Sequence, residues 1–246
     1  MSQAVDAVKS ATAQKAAPTL TLDEATHVYR LDGHAIPSVT QVLTALGFID
    51  LEYSTADALL RGQRVHVATA YLDEGDLDRR TIEPEALDGM DIRGYVRAWE
   101  RCVAETGCSI RLIEHRAYHP TYLYAGTIDR LVEWRGHHWI WDLKTVGRAG
   151  MPGPRWARFQ TGGYSLLPRF QAATAGRPLK RASILLYPDG AWRPEFHDDF
   201  YDGQKFLAML TTYRARLEVG VRDALVPISA TSTGGGANGN ASGTAI

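Results

Sequence analysis

Trp139-Ile140-Trp141-Asp142-Leu143-Lys144 is the stretch on which the fold turns. Its aromatic and branched residues predict a strand. Alternation then puts Ile140, Asp142 and Lys144 on one face and Trp139, Trp141 and Leu143 on the other. Packing alone does not choose a carboxylate and an ammonium two residues apart on a sheet otherwise built of large apolar side chains. The strand predicted just before it, 124–134, carries Gly126-Thr127-Ile128-Asp129, with Asp129 inside an apolar run that ends at Leu131 and Val132. Paired as a meander, the two strands bring Asp129 and Asp142 close together. Two neighbouring carboxylates repel unless a cation sits between them, and hard oxygen ligands select Mg²⁺ or Mn²⁺. A lysine alongside can then orient an attacking water or stabilise charge on a pentacovalent phosphate. Taken by itself, Asp-x-Lys is also the pattern of an ordinary surface ion pair.

Outward from this pair, a strand is expected over 109–118, and Gly136 supplies the turn before a strand over 138–145. Upstream, strand character at 19–23 and 27–31 leads through the Asp32-Gly33 hairpin turn to Ala35-Ile36. Ser38 reads as the N-cap of a short helix over 39–46. Ser54 reads as the cap of a longer one, whose apolar positions Leu59, Val65, Ala68 and Tyr71 or Leu72 recur at roughly helical spacing. A third helix is expected from Asp88 to Glu105, stopped by Gly107. Downstream, a Gly/Pro-rich link over 147–154 precedes a helix over 155–175, a buried-type strand over 181–187, a partner strand over 191–197 and a closing helix over 202–219. Helices, then a β-meander, then helix–strand–helix predict one α/β domain over 18–228 with a mixed central sheet. Segments 1–17 and 229–246 lack the apolar residues to offset ordering entropy and read as flexible tails.

Glu114, Gly126-Thr127-Ile128-Asp129, Asp142-Leu143-Lys144 and Gln160-x-x-x-Tyr164 together resemble the PD-(D/E)XK nuclease superfamily in its RecB-like branch. Gly62-Gln63-Arg64-Val65-His66 matches the branch's upstream Gly-x-x-x-His element, and the five elements stand in the family's order. No proline precedes Asp129, where the superfamily's name would place one. The resemblance implies a restriction-endonuclease-like core: a mixed central β-sheet flanked by helices. It implies a metal-dependent DNA nuclease, and an exonuclease in particular, as in the phage and mitochondrial genome maintenance members. Asp129, Asp142, the Leu143 carbonyl and His66 would hold the metal, and Lys144 would position the water. Glu114 would bind a second metal or a metal-bound water. Gln160 and Tyr164, one helical turn apart, would lie beside Lys144 or the DNA backbone. The alternative is a catalytically silent nuclease-fold subunit that binds DNA or serves as an adaptor in a recombination complex.

The chain has 246 residues, 45% of them hydrophobic, which excludes a disordered or fibrous protein. No apolar run reaches the roughly 18 residues of a membrane span, and no signal-peptide stretch opens the sequence. Two cysteines, Cys102 and Cys108, are too few for a four-thiolate iron–sulfur cluster, which places the chain with the cluster-free members and suits a reducing cytoplasm. The net charge of −1 hides an asymmetry: residues 23–91 hold fourteen acidic side chains, whereas 143–188 hold none against eight basic ones. That basic segment suits phosphate neutralisation. Arg148, Arg155 and Arg158 are its candidate DNA contacts, with Trp156 placed to stack on an unpaired base. A processive enzyme this small would need a homo-oligomer, or a recombinase, helicase or single-strand-binding partner.

Overall fold

The structure is a computed structural model and describes residues 17–49, 55–174 and 177–221. The two expected tails therefore fall outside the described residues, apart from the exposed Ala17.

A small antiparallel sheet comes first: β1 (Leu20–Asp23), β2 (Val28–Leu31) and β3 (His34–Ile36). Its Asp32-Gly33 turn has φ of 49° and 81°, the left-handed pair that a tight hairpin requires. Helix α1 (Val39–Ala45) starts in a capping box in which Ser38 and Gln41 each satisfy the other's backbone N–H. Helix α2 (Ala56–Glu74) is capped by the Thr55 side chain, while the expected cap Ser54 lies outside the described residues. Val65 and Ala68 are buried as expected, but Leu59 and Tyr71 are 44% and 48% exposed. Only part of the expected stripe faces the core.

The helix expected from Asp88 begins later, as α3 (Arg93–Thr106) ending at the left-handed Gly107. Asp88 itself is left-handed, at φ 53°, and closes the second of two 3₁₀ turns, so no helix can start there. A five-stranded sheet follows in the order β4 (Ser109–His119), β5 (Tyr124–Trp134), β6 (His137–Thr145), β7 (Lys180–Leu186), β8 (Trp192–Phe196). Only β6 and β7 pair in parallel, and a parallel pair needs a crossover. The crossover contains α4 (Ala157–Ser165) and α5 (Pro168–Ala172), where one helix over 155–175 was expected. Pro168 has no N–H to continue the first helix and starts the second instead. Helix α6 (Asp202–Glu218) closes the domain.

The alternation in β6 sorts the core into two layers. Trp139, Trp141 and Leu143 pack with Val65, Ala68 and Trp99 from α2 and α3. Ile140, on the other face, packs with Val39, Tyr164 and Phe206 from α1, α4 and α6. The result is a mixed α/β sheet with helices on both faces, as the sequence predicted. Gly126 explains how α4 closes onto β5: a Cβ there would lie 2.5 Å from the Tyr164 ring. Among the described residues, no helix is long and apolar enough to cross a membrane.

Candidate active site

Strands β5 and β6 pair from Trp134↔His137 up to Arg130↔Trp141, and there their ladder ends. The next step of that register sets Asp129 opposite Asp142. Where the strands part, Oδ2 of Asp129 accepts the Leu143 N–H at 2.6 Å. A carboxylate thus takes the place of a ladder carbonyl, and its other oxygen is left to face inward. Asp129 and Asp142 are only 8% and 2% exposed. Two buried carboxylates at a fork between strands are costly unless other charges answer them.

Helix α2 delivers one answer. Nδ1 of His66 lies 3.4 Å from Asp129 Oδ1 and 3.7 Å from Glu114 Oε1, and its Nε2 lies 3.2 Å from the Leu143 carbonyl. Each of these neighbours of the ring is an oxygen acceptor. Burial opposes protonation of His66, but the charges and hydrogen bonds of Asp129 and Glu114 outweigh it and raise its pKa to about 10. The imidazolium therefore stands where oxygens from β4, β5 and β6 converge. Potential ligand atoms of His66, Glu114 and Asp129 lie within 4.8 Å of one another. This set of one imidazole with carboxylate and carbonyl oxygens fits a Mg²⁺ or Mn²⁺ ion once the ring gives up its proton. Glu114 has φ 43°, and it is the only non-glycine residue inside a strand with positive φ among the described residues. Such strain persists where surrounding contacts impose it.

Lys144 forms the second half of the site. Its Nζ lies 2.8 Å from Asp142 Oδ2 and donates to Gln160 Oε1 at 3.0 Å. Gln160 in turn donates from Nε2 to the Tyr164 hydroxyl at 3.0 Å, so the Gln-x-x-x-Tyr pair acts on the lysine from α4. The Trp156 ring lies 5.0 Å from the same ammonium. Burial pushes Asp142 up to about 6, against the attraction of Lys144 and with the repulsion of Asp129. Burial also holds the Tyr164 phenol well above its ordinary range. The phenol is thus a hydrogen-bonding group here and not an acid.

The structure gathers His66, Glu114, Asp129, Asp142, Leu143, Lys144, Gln160 and Tyr164 at one place. Of the expected DNA contacts, Arg148 and Arg155 are exposed in and beside the Gly/Pro-rich link. Trp156 is half-buried against Lys144 and the core, which leaves less of its ring for a base than expected. Arg158 is half-exposed and its guanidinium is engaged by Asp202 at 2.7 Å and Asp199 at 2.6 Å, pinning α4 to the start of α6. Sequence reasoning missed Arg130, Asp73, Ser183 and His197. Ser183 donates to Asp142 Oδ2 at 3.4 Å and meets His197 Nε2 at 3.0 Å. Arg130 carried the same signal as Asp129, a charge set inside the apolar run of a central strand.

No family model and no curated protein matches this chain. Among solved structures, it is similar to the "Putative exonuclease" from Eubacterium rectale, at 15% identity over 69% of this chain and 70% of that one, with a TM-score of 0.43. It is also similar to LHK-Exo, solved in complex with dAMP, at 16% identity over 76% of this chain and 89% of that one, with a TM-score of 0.35. Likenesses this distant concern the path of the chain, and the functional assignment rests on the geometry of the site.

Proposed function

We propose that this protein is a Mg²⁺- or Mn²⁺-dependent deoxyribonuclease, an exonuclease of the cluster-free RecB-like PD-(D/E)XK branch that serves DNA recombination, repair or phage DNA processing. One observation carries the reading: Asp129 and Asp142 meet where β5 and β6 part, with His66 and Glu114 on one side and Lys144 on the other. A divalent cation held there supplies positive charge against the charge that develops on a phosphodiester, and it acidifies water.

The protein's own groups prepare for that chemistry. Asp129 has Oδ2 committed to the Leu143 N–H, and Asp142 has Oδ2 committed to Lys144 and Ser183. Oδ1 of Asp142 has no bond from either, and Oδ1 of Asp129 faces His66 and becomes available to a ligand when the ring gives up its proton. An ammonium has three N–H donors, and Lys144 directs two of them at Asp142 and Gln160. The third is free to orient the attacking water or to hold a phosphate oxygen. Gln160, fixed by Tyr164, sets the direction of that donor. Arg148 and Arg155 lie exposed on the link after β6, where they can neutralise backbone phosphates. Every expected ligand and the lysine are present, which favours turnover over a silent DNA-binding or adaptor role.

The test is incubation with Mg²⁺ or Mn²⁺ and end-labelled linear or closed circular DNA. The proposal expects short products from the linear substrate alone, lost on chelation. Cleavage of closed circles would replace exonuclease with endonuclease, and DNA binding without any cleavage would favour the silent module.

A further inference from the structure

The candidate cluster draws on three elements, α2, β4 and β5, and one buried side chain touches all of them. Arg130 on β5 is fully buried. Its Nε pairs with Asp73 Oδ2 on α2, and its Nη2 donates to Thr69 Oγ1 on α2 at 3.2 Å. Its Nη1 donates to Glu114 Oε1 on β4 at 3.1 Å and to the carbonyl of Asp129 at 2.7 Å. The face of Trp99 lies 5.6 Å from Cζ, and the indole N–H donates to the remaining oxygen of Asp73 at 2.9 Å.

Charge balance does not require this arrangement. Asp73, itself 5% exposed, already neutralises the guanidinium, so the bond to Glu114 is additional. Its geometric effect lies on the side of the candidate metal site. Glu114 is the strained residue of β4, and its side chain is 37% exposed, so without a partner it would be free to turn into solvent. On α2, residues 66, 69 and 73 share one face. Thr69 accepts from Arg130 and donates to the His66 carbonyl at 3.0 Å. A single guanidinium thus fixes the Glu114 carboxylate, the peptide of Asp129 and the helical turn that carries His66. Arginine's planar fork suits such a junction, and lysine cannot span it.

We propose that Arg130 is the positioning residue that assembles the His66–Glu114–Asp129 cluster into a divalent-cation site. This role rests on the metal-dependent reading above. Substitution of the outer partners of metal ligands typically lowers metal affinity about 10- to 100-fold.

The experiment compares the wild-type chain with Arg130→Lys, Glu114→Gln and the double variant, each checked for a cooperative melt and titrated calorimetrically with Mn²⁺. Arg130→Lys keeps a buried cation for Asp73 and Trp99 but cannot also hold Glu114. The expected result is a folded Arg130→Lys protein with Mn²⁺ affinity lowered about tenfold or more. Glu114→Gln should lose a similar amount, and the double variant should bind no more weakly than the weaker single. A merely structural arginine would lower the melting temperature and leave the affinity of the folded protein unchanged. That outcome, or fully additive losses, overturns the inference while leaving the nuclease reading intact. A wild-type protein that binds no Mn²⁺ overturns both. Should Arg130→Lys fail to fold, Thr69→Val, which cuts only the link to the His66 turn, must show the same affinity loss or the inference falls.

Discussion

Two buried ionic groups lie within this fold, and they are built on opposite accounts of charge. At the junction of α4, β7 and α6, Asp202 is fully buried and receives Arg158 on Oδ1 and Arg181 on Oδ2. Arg181 also donates to the carbonyls of Arg158 and Asp199, and Lys205 joins Asp199. There three cations face two carboxylates, and both oxygens of the buried one are occupied. At the fork of β5 and β6 the proportion is reversed. Asp73, Glu114, Asp129 and Asp142 face the two fixed cations Arg130 and Lys144, with a protonatable His66 making up part of the difference. The first arrangement is a staple with nothing left to bind. The second is short of positive charge, and each of its central carboxylates keeps an oxygen that neither Arg130 nor Lys144 claims.

This contrast breaks most sharply on a matched pair of substitutions. Asp142→Asn removes a charge that burial already disfavours, as its raised pKa of about 6 indicates, while the amide oxygen can still accept from Ser183. Cleavage should fall roughly a thousandfold or more, since the residue acts within a unit, with stability changed by no more than about 1 kcal/mol because no bound group is orphaned outright. Asp202→Asn leaves Arg158 and Arg181 without their shared counter-charge. It should cost about 3–5 kcal/mol, the usual penalty for breaking a buried pair, and spare the specific activity of the folded fraction. Denaturant melts beside cleavage assays check both. If Asp142→Asn destabilises as much as Asp202→Asn, the two groups are alike and the distinction fails.

The parts legible in the sequence were those set by local rules. Alternation in β6 assigned Trp139, Trp141 and Leu143 to one layer and Ile140 to the other, as found. The Asp32-Gly33 turn, the Ser38 cap and the Gly107 stop are likewise written in single residues. The site residues were legible because charges inside apolar strands have few reasons to be there. What could not be read depends on contacts between distant segments. In sequence Arg158 reads as a free cation in an acid-free stretch, but its partners come from a loop and helix some forty residues later. Arg130 shared the signal of Asp129, yet its meaning lies in Asp73 and Glu114, 57 and 16 residues away. The break between α4 and α5 is written in Pro168, a local stop inside a pattern that otherwise stays helical.

Metal addition separates the two groups by a smaller margin. Without a cation, His66 keeps its proton up to about 10 because Asp129 and Glu114 outweigh the cost of burial, whereas an imidazole in the unfolded chain loses it near 6.5. Its contribution to stability is therefore complete below about 6.5 and is lost as pH rises through about 10. A cation that takes the ring nitrogen must displace that proton, so affinity should climb by up to about tenfold per pH unit across this window. At a hundredfold excess over its dissociation constant, Mn²⁺ should stabilise the fold by about 2.7 kcal/mol. At a fixed limiting Mn²⁺ concentration, the rise in melting temperature should grow from about pH 7 to about pH 9 and largely vanish in His66→Ala. A metal-induced shift that ignores pH would remove His66 from the site. Asp202→Asn, made at the other group, should respond to Mn²⁺ as the wild type does.

The smallest effect tests the boundary where the two groups touch. His197 meets Ser183, which bonds Asp142, yet its own titration is set by burial first and then by the charges of the staple. Burial first, and then the Arg181 and Arg158 cations, lower its pKa to about 4 against the opposing charges of Asp202 and Glu195. Because the Ser183 hydroxyl donates to Asp142, the neutral ring must donate its Nε2–H to Ser183. Between pH 6.5 and 4 the unfolded chain accepts a proton at this ring that the native chain refuses. Native stability must therefore fall with pH in that window, by at most about 1.4 kcal/mol per pH unit. His197→Gln keeps a donor for Ser183 and removes the titration. Its unfolding free energy, measured in urea from about pH 7 to about pH 4, should decline less steeply than that of the wild type. Parallel curves would mean that His197 protonates freely in the native state.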